Sequence, residues 1–176
     1  MSTHADEIAA PFRGARTAKA LRVAVELLMK DLPSAWSLES SHPSARKVAG
    51  KNSPHGQCYV SSMLLAHALA HCPIVDDIRI HRGAVYWPGG DSPIIPDHGW
   101  IEYRVQGVRF LSDVTAQQSR YTGPILSQEA SKVHLEYRSL DVRTLSSVVS
   151  EDAWLRYFRL TFDLAVYRNS RQLCLI

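Results

Sequence analysis

Cys58, His98 and Asp113 are the residues whose types and order could do chemistry, 40 and then 15 positions apart. Cys58 follows Gly56-Gln57 at the head of an apolar, helix-patterned run. At a helix start the unpaired N–H groups and the helix dipole favour an anion, so a thiolate is stabilised there. The same N–H groups can hold a developing oxyanion. His98 then supplies the base that makes the thiolate and the acid that protonates a leaving group. Asp113 fixes the tautomer of His98 and stabilises its imidazolium.

These residues need elements to position them. His98–Val105, Gln106-Gly107 and Val108–Val114 read as a β-hairpin with a two-residue turn. If Val105 faces Val108, paired positions sum to 213. Trp100 then lies opposite Asp113, and His98 opposite Thr115. His98 and Asp113 become diagonal neighbours on one face, about 7–8 Å apart at Cα, within reach of an imidazole and a carboxylate. The other face carries Ile101, Tyr103, Val105, Val108, Phe110 and Val114 and is apolar.

A helix is expected from Gln57 to about His71, with Asn52 and Ser53 as candidate caps. No charge occurs from residue 52 to 75, so this helix is expected to be buried on most sides. An amphipathic helix precedes it, from Ala15 to Leu32, ended by Pro33. Residues 1–13 read as a loose arm or short helix. Residues 33–56 and 88–97 read as loops through which a substrate reaches Cys58 and His98. Ile78–Tyr86 and Val133–Leu140 read as strands. Ser150 caps a last helix to about residue 168, with Trp154, Phe158, Phe162 and Ala165 on its apolar side. The order makes a single α+β domain over 1–176, a central Cys-bearing helix packed on an antiparallel β-sheet.

Gly56-Gln57-Cys58-Tyr59-Val60-Ser61-Ser62, the segment Ile78–Tyr86, His98-Gly99-Trp100-Ile101-Glu102-Tyr103 and Leu111-Ser112-Asp113-Val114-Thr115 resemble the transglutaminase-like branch of the papain-like superfamily. They are also similar to small bacterial proteins with the same three motifs. The resemblance covers a catalytic-type core of roughly 54–118. It implies thiol chemistry at an amide, with a thioester intermediate: hydrolysis, glutamine deamidation or acyl transfer to an amine. The substrate is then a peptide, a protein or a small amide, and neither cofactor nor metal is implied. Papain-like enzymes often place a glutamine side chain in the oxyanion hole, several residues upstream of the cysteine. Gln57 adjoins Cys58 instead, so the backbone N–H of Cys58 is the alternative donor. Asn52 and His55 are polar candidates for lining the site. Trp36 and Trp100 either wall the cleft or pack in the core.

The rest of the composition narrows the field. The chain has 176 residues, 45% hydrophobic and 21% charged, which is enough apolar side chain for a packed core. Three cysteines are too few and too odd for a disulfide framework or a cysteine-only metal scaffold. Cys72 reads as a packed helix end and Cys174 as a bystander. The net charge of +3 comes without a basic run, so nucleic-acid binding is not expected. Neither a secretory leader nor a membrane-length apolar stretch is legible, and a cytoplasmic location with reduced thiols is expected. Two competing readings remain. One is a non-catalytic binding module of the same fold. The other is a zinc site using His67 and His71, spaced i, i+4, although the glutamate of a His-Glu-x-x-His motif is missing.

Overall fold

The fold was analysed in a computed structural model that describes residues 4–48, 52–119 and 123–173. Among the described residues four α-helices pack with one five-stranded sheet. The helices are α1 (His4–Arg13), α2 (Ala18–Ala35), α3 (Cys58–Ala70) and α4 (Glu151–Leu173). The strands are β1 (Val75–Tyr86), β2 (Ile95–Val105), β3 (Val108–Asp113), β4 (Ile125–Glu129) and β5 (Glu136–Arg143). Their order is β4-β3-β2-β1-β5, and each neighbouring pair is antiparallel. The α+β class and the antiparallel sheet expected above are therefore present.

α3 is the axis of the structure. Val60, Met63, Leu64, Leu65, Ala68 and Leu69 are wholly buried although they point to every side of the helix. A helix that is apolar all round has to be covered all round. Here α1 and α4 pack on it from one side, and β1 and β2 from the other. Ile80, Ile101, Tyr103 and Val105 supply the sheet's share of this core. Each such side chain contributes about 1.5–3 kcal/mol through burial, so the start of α3 is held in a rigid setting.

The hairpin has the expected register. Ile101 pairs with Ser112, Tyr103 with Phe110 and Val105 with Val108, so the sum of 213 holds. Gln106 and Gly107 both have positive φ, 52° and 82°. That is the primed turn which matches the twist of the flanking strands.

Several expectations are corrected. Of the loose arm and the short helix left open for the N-terminus, residues 4–13 form the helix, because Ile8, Ala9 and Phe12 recur at helical spacing and are buried. α2 runs through Pro33 to Ala35, where Trp36 N–H donates to the Pro33 carbonyl. β2 begins at Ile95, inside the expected 88–97 loop, since Ile95 pairs with Val85. β5 lies a few residues later than expected. The buried stripe of α4 is Ala153, Tyr157, Leu160 and Leu164, while Phe158 and Phe162 are half exposed. That helix has apolar residues on two faces, and periodicity alone does not say which one meets α3. Ser150 does cap it, its hydroxyl accepting from Ala153 N–H at 3.2 Å. No described helix is long and apolar enough to cross a membrane. Cys174 lies outside the described residues.

Candidate active site

Cys58 is the first residue of α3, and Gln57 before it forms no side-chain cap. The first N–H groups of the helix are thus left open at the cysteine. β2 comes directly against this turn at Gly99. A Cβ on Gly99 would sit 3.0 Å from Tyr59 Cα and 3.1 Å from Tyr59 N. The missing side chain is what lets the strand bring the neighbouring His98 beside Cys58. Replacing Gly99 with valine is therefore expected to push β2 off α3 and cost about 1–3 kcal/mol through overpacking. Denaturant midpoints and Cys58 alkylation rates, both lowered, would check this.

His98 is wholly buried. Its Nε2 lies 2.6 Å from Asp113 Oδ2, so the imidazole meets the carboxylate across the hairpin as its register requires. Nδ1, the other ring nitrogen, is buried and has no hydrogen-bond partner. Cys58 lines the same pocket as His98 and is among the groups that act on its pKa. Burial by itself would lower the His98 pKa. The charge and hydrogen bond of Asp113, with Cys58, outweigh that effect and push it up to about 10. His98 is thus a cation at neutral pH, between a carboxylate and a sulfur.

Asp113 is fixed from both sides. Its Oδ1 accepts from Thr115 N–H at 3.1 Å and from the Thr115 hydroxyl at 3.4 Å. Its Oδ2 also accepts from the Tyr137 hydroxyl at 2.7 Å. Burial, then the Asp113 charge and this bond, raise the Tyr137 pKa, so the phenol remains a donor. Tyr137 stands on β5, two strands away from the hairpin, and sequence reasoning missed its part. The apolar-polar alternation at Leu135 and Tyr137 marks a strand, but the sequence carries no sign of which strand β5 pairs with.

A pocket of about 350 Å³ opens onto the cysteine, with Cys58, Tyr59, His98 and Gly99 in its wall. His42, Ser44, Ala45, His55 and Gly56 come from the 36–57 connection. Arg82, Asp97, Asp141, Arg143, Asp152 and Arg156 add three acids and three guanidinium groups. Asp97 grips Arg82 through two bonds of 2.8 and 2.9 Å. The Arg82 bonds hold the Asp97 pKa below its usual value.

The other candidates divide. His55 lines the pocket, with Nδ1 3.0 Å from the Ser53 hydroxyl. Gln57 does not face it. Its Nε2 donates to the Ser37 carbonyl and to the Ser40 and Ser41 hydroxyls at 2.8–3.0 Å. With its N–H donors engaged the amide has none left for an oxyanion, so Gln57 is a brace for the 37–41 turn. Asn52 is exposed and tied by its backbone N–H to the Trp36 carbonyl, outside the pocket wall. Trp36 is buried, with Nε1 donating to the Ser61 hydroxyl at 3.1 Å, and belongs to the core. Trp100 is wholly buried, lying between the rings of His81 and His98 at centroid distances of 5.4 and 6.5 Å. It supports the histidine from behind and does not wall the cleft. Cys72 is buried, with its thiol pKa raised by burial. His67 on α3 and His71 at its C-cap are neighbours, 5.2 Å apart between ring centroids. Among the described residues no third His, Cys, Asp or Glu joins them in a metal-holding group.

The site therefore defines a class by chemistry: a cysteine at an open helix start, paired with a histidine that an aspartate holds. No protein-family model matches the chain, and no curated protein or solved structure was found to match it.

Proposed function

We propose that the protein is a cysteine-dependent amide hydrolase or acyl transferase of papain-like or transglutaminase-like type. The observation that carries this reading is that Cys58 and His98 line one pocket while Asp113 holds His98 from behind at 2.6 Å. A buried, hydrogen-bonded His–Asp pair is costly to place in a fold for stability alone. Beside a half-exposed cysteine at a helix start it has a chemical use.

In the first step Cys58 Sγ, as thiolate, attacks the carbonyl carbon of an amide. The C–S bond forms and the π electrons move to the carbonyl oxygen. The backbone N–H of Cys58, at the open end of α3, is placed to receive that oxyanion. His98 gives its Nδ1 proton to the leaving nitrogen, the C–N bond breaks, and a thioester on Cys58 remains. In the second step water or an amine attacks the thioester, and His98 takes its proton. The C–S bond breaks, which releases an acid or a new amide and regenerates the imidazolium–thiolate pair. Asp113, held by Thr115 and Tyr137, keeps Nε2 protonated throughout.

p-Nitrophenyl acetate tests this, because an activated ester reports acyl-thiol formation whatever the natural amide is. The expected result is a burst of one nitrophenol per chain and an acetyl group on Cys58 by mass spectrometry. Cys58→Ala removes the burst, and an added amine shortens the life of the acyl group if transfer is favoured. Acetylation of Cys58 no faster than that of a thiol in the denatured chain would reduce the site to a binding module.

A further inference from the structure

The same pocket holds a charged group that the thiol chemistry leaves unused. Arg156, in the first turns of α4, is only 5% exposed and forms part of the pocket wall. Its Nε is bonded to Asp152 at 2.8 Å, but its Nη1 has no hydrogen-bond partner. Arginine does not shed its proton in a protein. A buried guanidinium nitrogen without an acceptor forfeits a charge-assisted bond, and such groups call for an explanation.

The neighbouring charges do not supply the missing acceptor. Asp97 is engaged with Arg82, Asp141 with Arg143 at 2.7 Å, and Asp152 already serves Arg156 at Nε. Asp152 is also half exposed, which weakens its claim on the buried cation. Ser150, Asp152 and Ala153 at the start of α4 line the pocket, and so do Cys58 and Tyr59 at the start of α3. Two helix N-termini, each carrying a partial positive charge, thus border one cavity.

We propose that Arg156 is a carboxylate-binding subsite, and that the substrate is an amide carrying a carboxylate next to the bond attacked by Cys58. This assignment rests on the reading of Cys58 as a nucleophile. A guanidinium fork matches a carboxylate in plane and charge. The pocket, of about 350 Å³, admits a group the size of one or two amino-acid residues. An amide formed with, or by, a small amino acid meets both conditions.

Alkylation of Cys58 by iodoacetate and by iodoacetamide tests it, since the two probes differ in little but charge. Rates are read by mass spectrometry on the whole protein. Iodoacetate is expected to be the relatively favoured probe in the native chain. In Arg156→Met the iodoacetate-to-iodoacetamide ratio is expected to fall about tenfold, the value of one hydrogen bond to a charged group. Arg156→Lys, which keeps the charge and loses the fork, is expected to fall between the two. An unchanged ratio in Arg156→Met overturns the subsite while leaving the nucleophile standing. Cys58 alkylated by iodoacetamide no faster than Cys72 overturns both. If Arg156→Met does not fold, protection of the native chain decides. Benzoate but not benzamide slowing alkylation supports the subsite. Equal or no protection, or protection by inorganic phosphate alone, overturns it.

Discussion

Asp113→Asn is expected to destabilise the protein by about 3–5 kcal/mol at pH 6, the cost of removing one partner from a buried charge pair. It is also expected to invert the way stability depends on pH. In the native chain the His98 pKa is raised well above its unfolded value. The folded state therefore holds a proton that the unfolded chain releases near pH 6.5. That contribution is fully present below pH 6.5 and fades as pH rises through about 10. Without the Asp113 charge, burial is the leading influence on His98, and burial lowers the pKa. The asparagine variant is then expected to gain stability from pH 6 to 8, where the native chain loses this contribution. His67 and His81, both lowered first by burial, pull the native curve the other way. They act equally in both proteins, so the difference between the two curves isolates His98. Urea midpoints at pH 6, 7, 8 and 9 would measure it. Parallel curves would mean that His98 is not charged in the folded protein.

His98→Ala is expected to have the largest effect on the chemistry. At pH 6 an ordinary thiol is only about 0.3% thiolate. Loss of the imidazolium should therefore slow alkylation of Cys58 by about tenfold at that pH, even though a less basic thiolate is a weaker nucleophile. The variant's rate should rise about tenfold per pH unit until it nears pH 8.5. The native rate should be much flatter over the same interval. Any acyl turnover should fall by about 10²–10⁴-fold, the usual worth of a general acid and base. Two pH–rate profiles of the same slope would show that Cys58 and His98 are not a working pair.

The parts legible in the sequence were those set by local chemistry. The Gln106-Gly107 turn sets the register, and register alone brings His98 to Asp113. The charge-free run from residue 52 to 75 announces a helix covered on all sides, as α3 is. What stayed hidden depends on partners distant in the chain. β4 is five residues long and includes Ser127 at φ 50°, so it shows no clean alternation. Tyr137 reaches Asp113 only because β5 pairs with β1. Gln57 is a candidate oxyanion donor only through the family resemblance, and it adjoins Cys58 where that pattern has its glutamine several residues upstream. Its amide instead turns toward Ser37, Ser40 and Ser41, a loop whose proximity is a tertiary fact. Nothing in the sequence sets Arg156 apart from the other arginines, and only packing gives it a buried nitrogen without an acceptor.

The pocket wall draws on residues from His42 to Arg156. A chain made from its N-terminus exposes Cys58 first, His98 and Asp113 later, Tyr137 and Arg156 last. Until β5 and α4 have been synthesised and docked, the thiol has neither a braced aspartate behind its histidine nor a closed cavity in front of it. Order of synthesis thus sets when the site is complete: the cysteine comes first, and the residues that brace and enclose it come last.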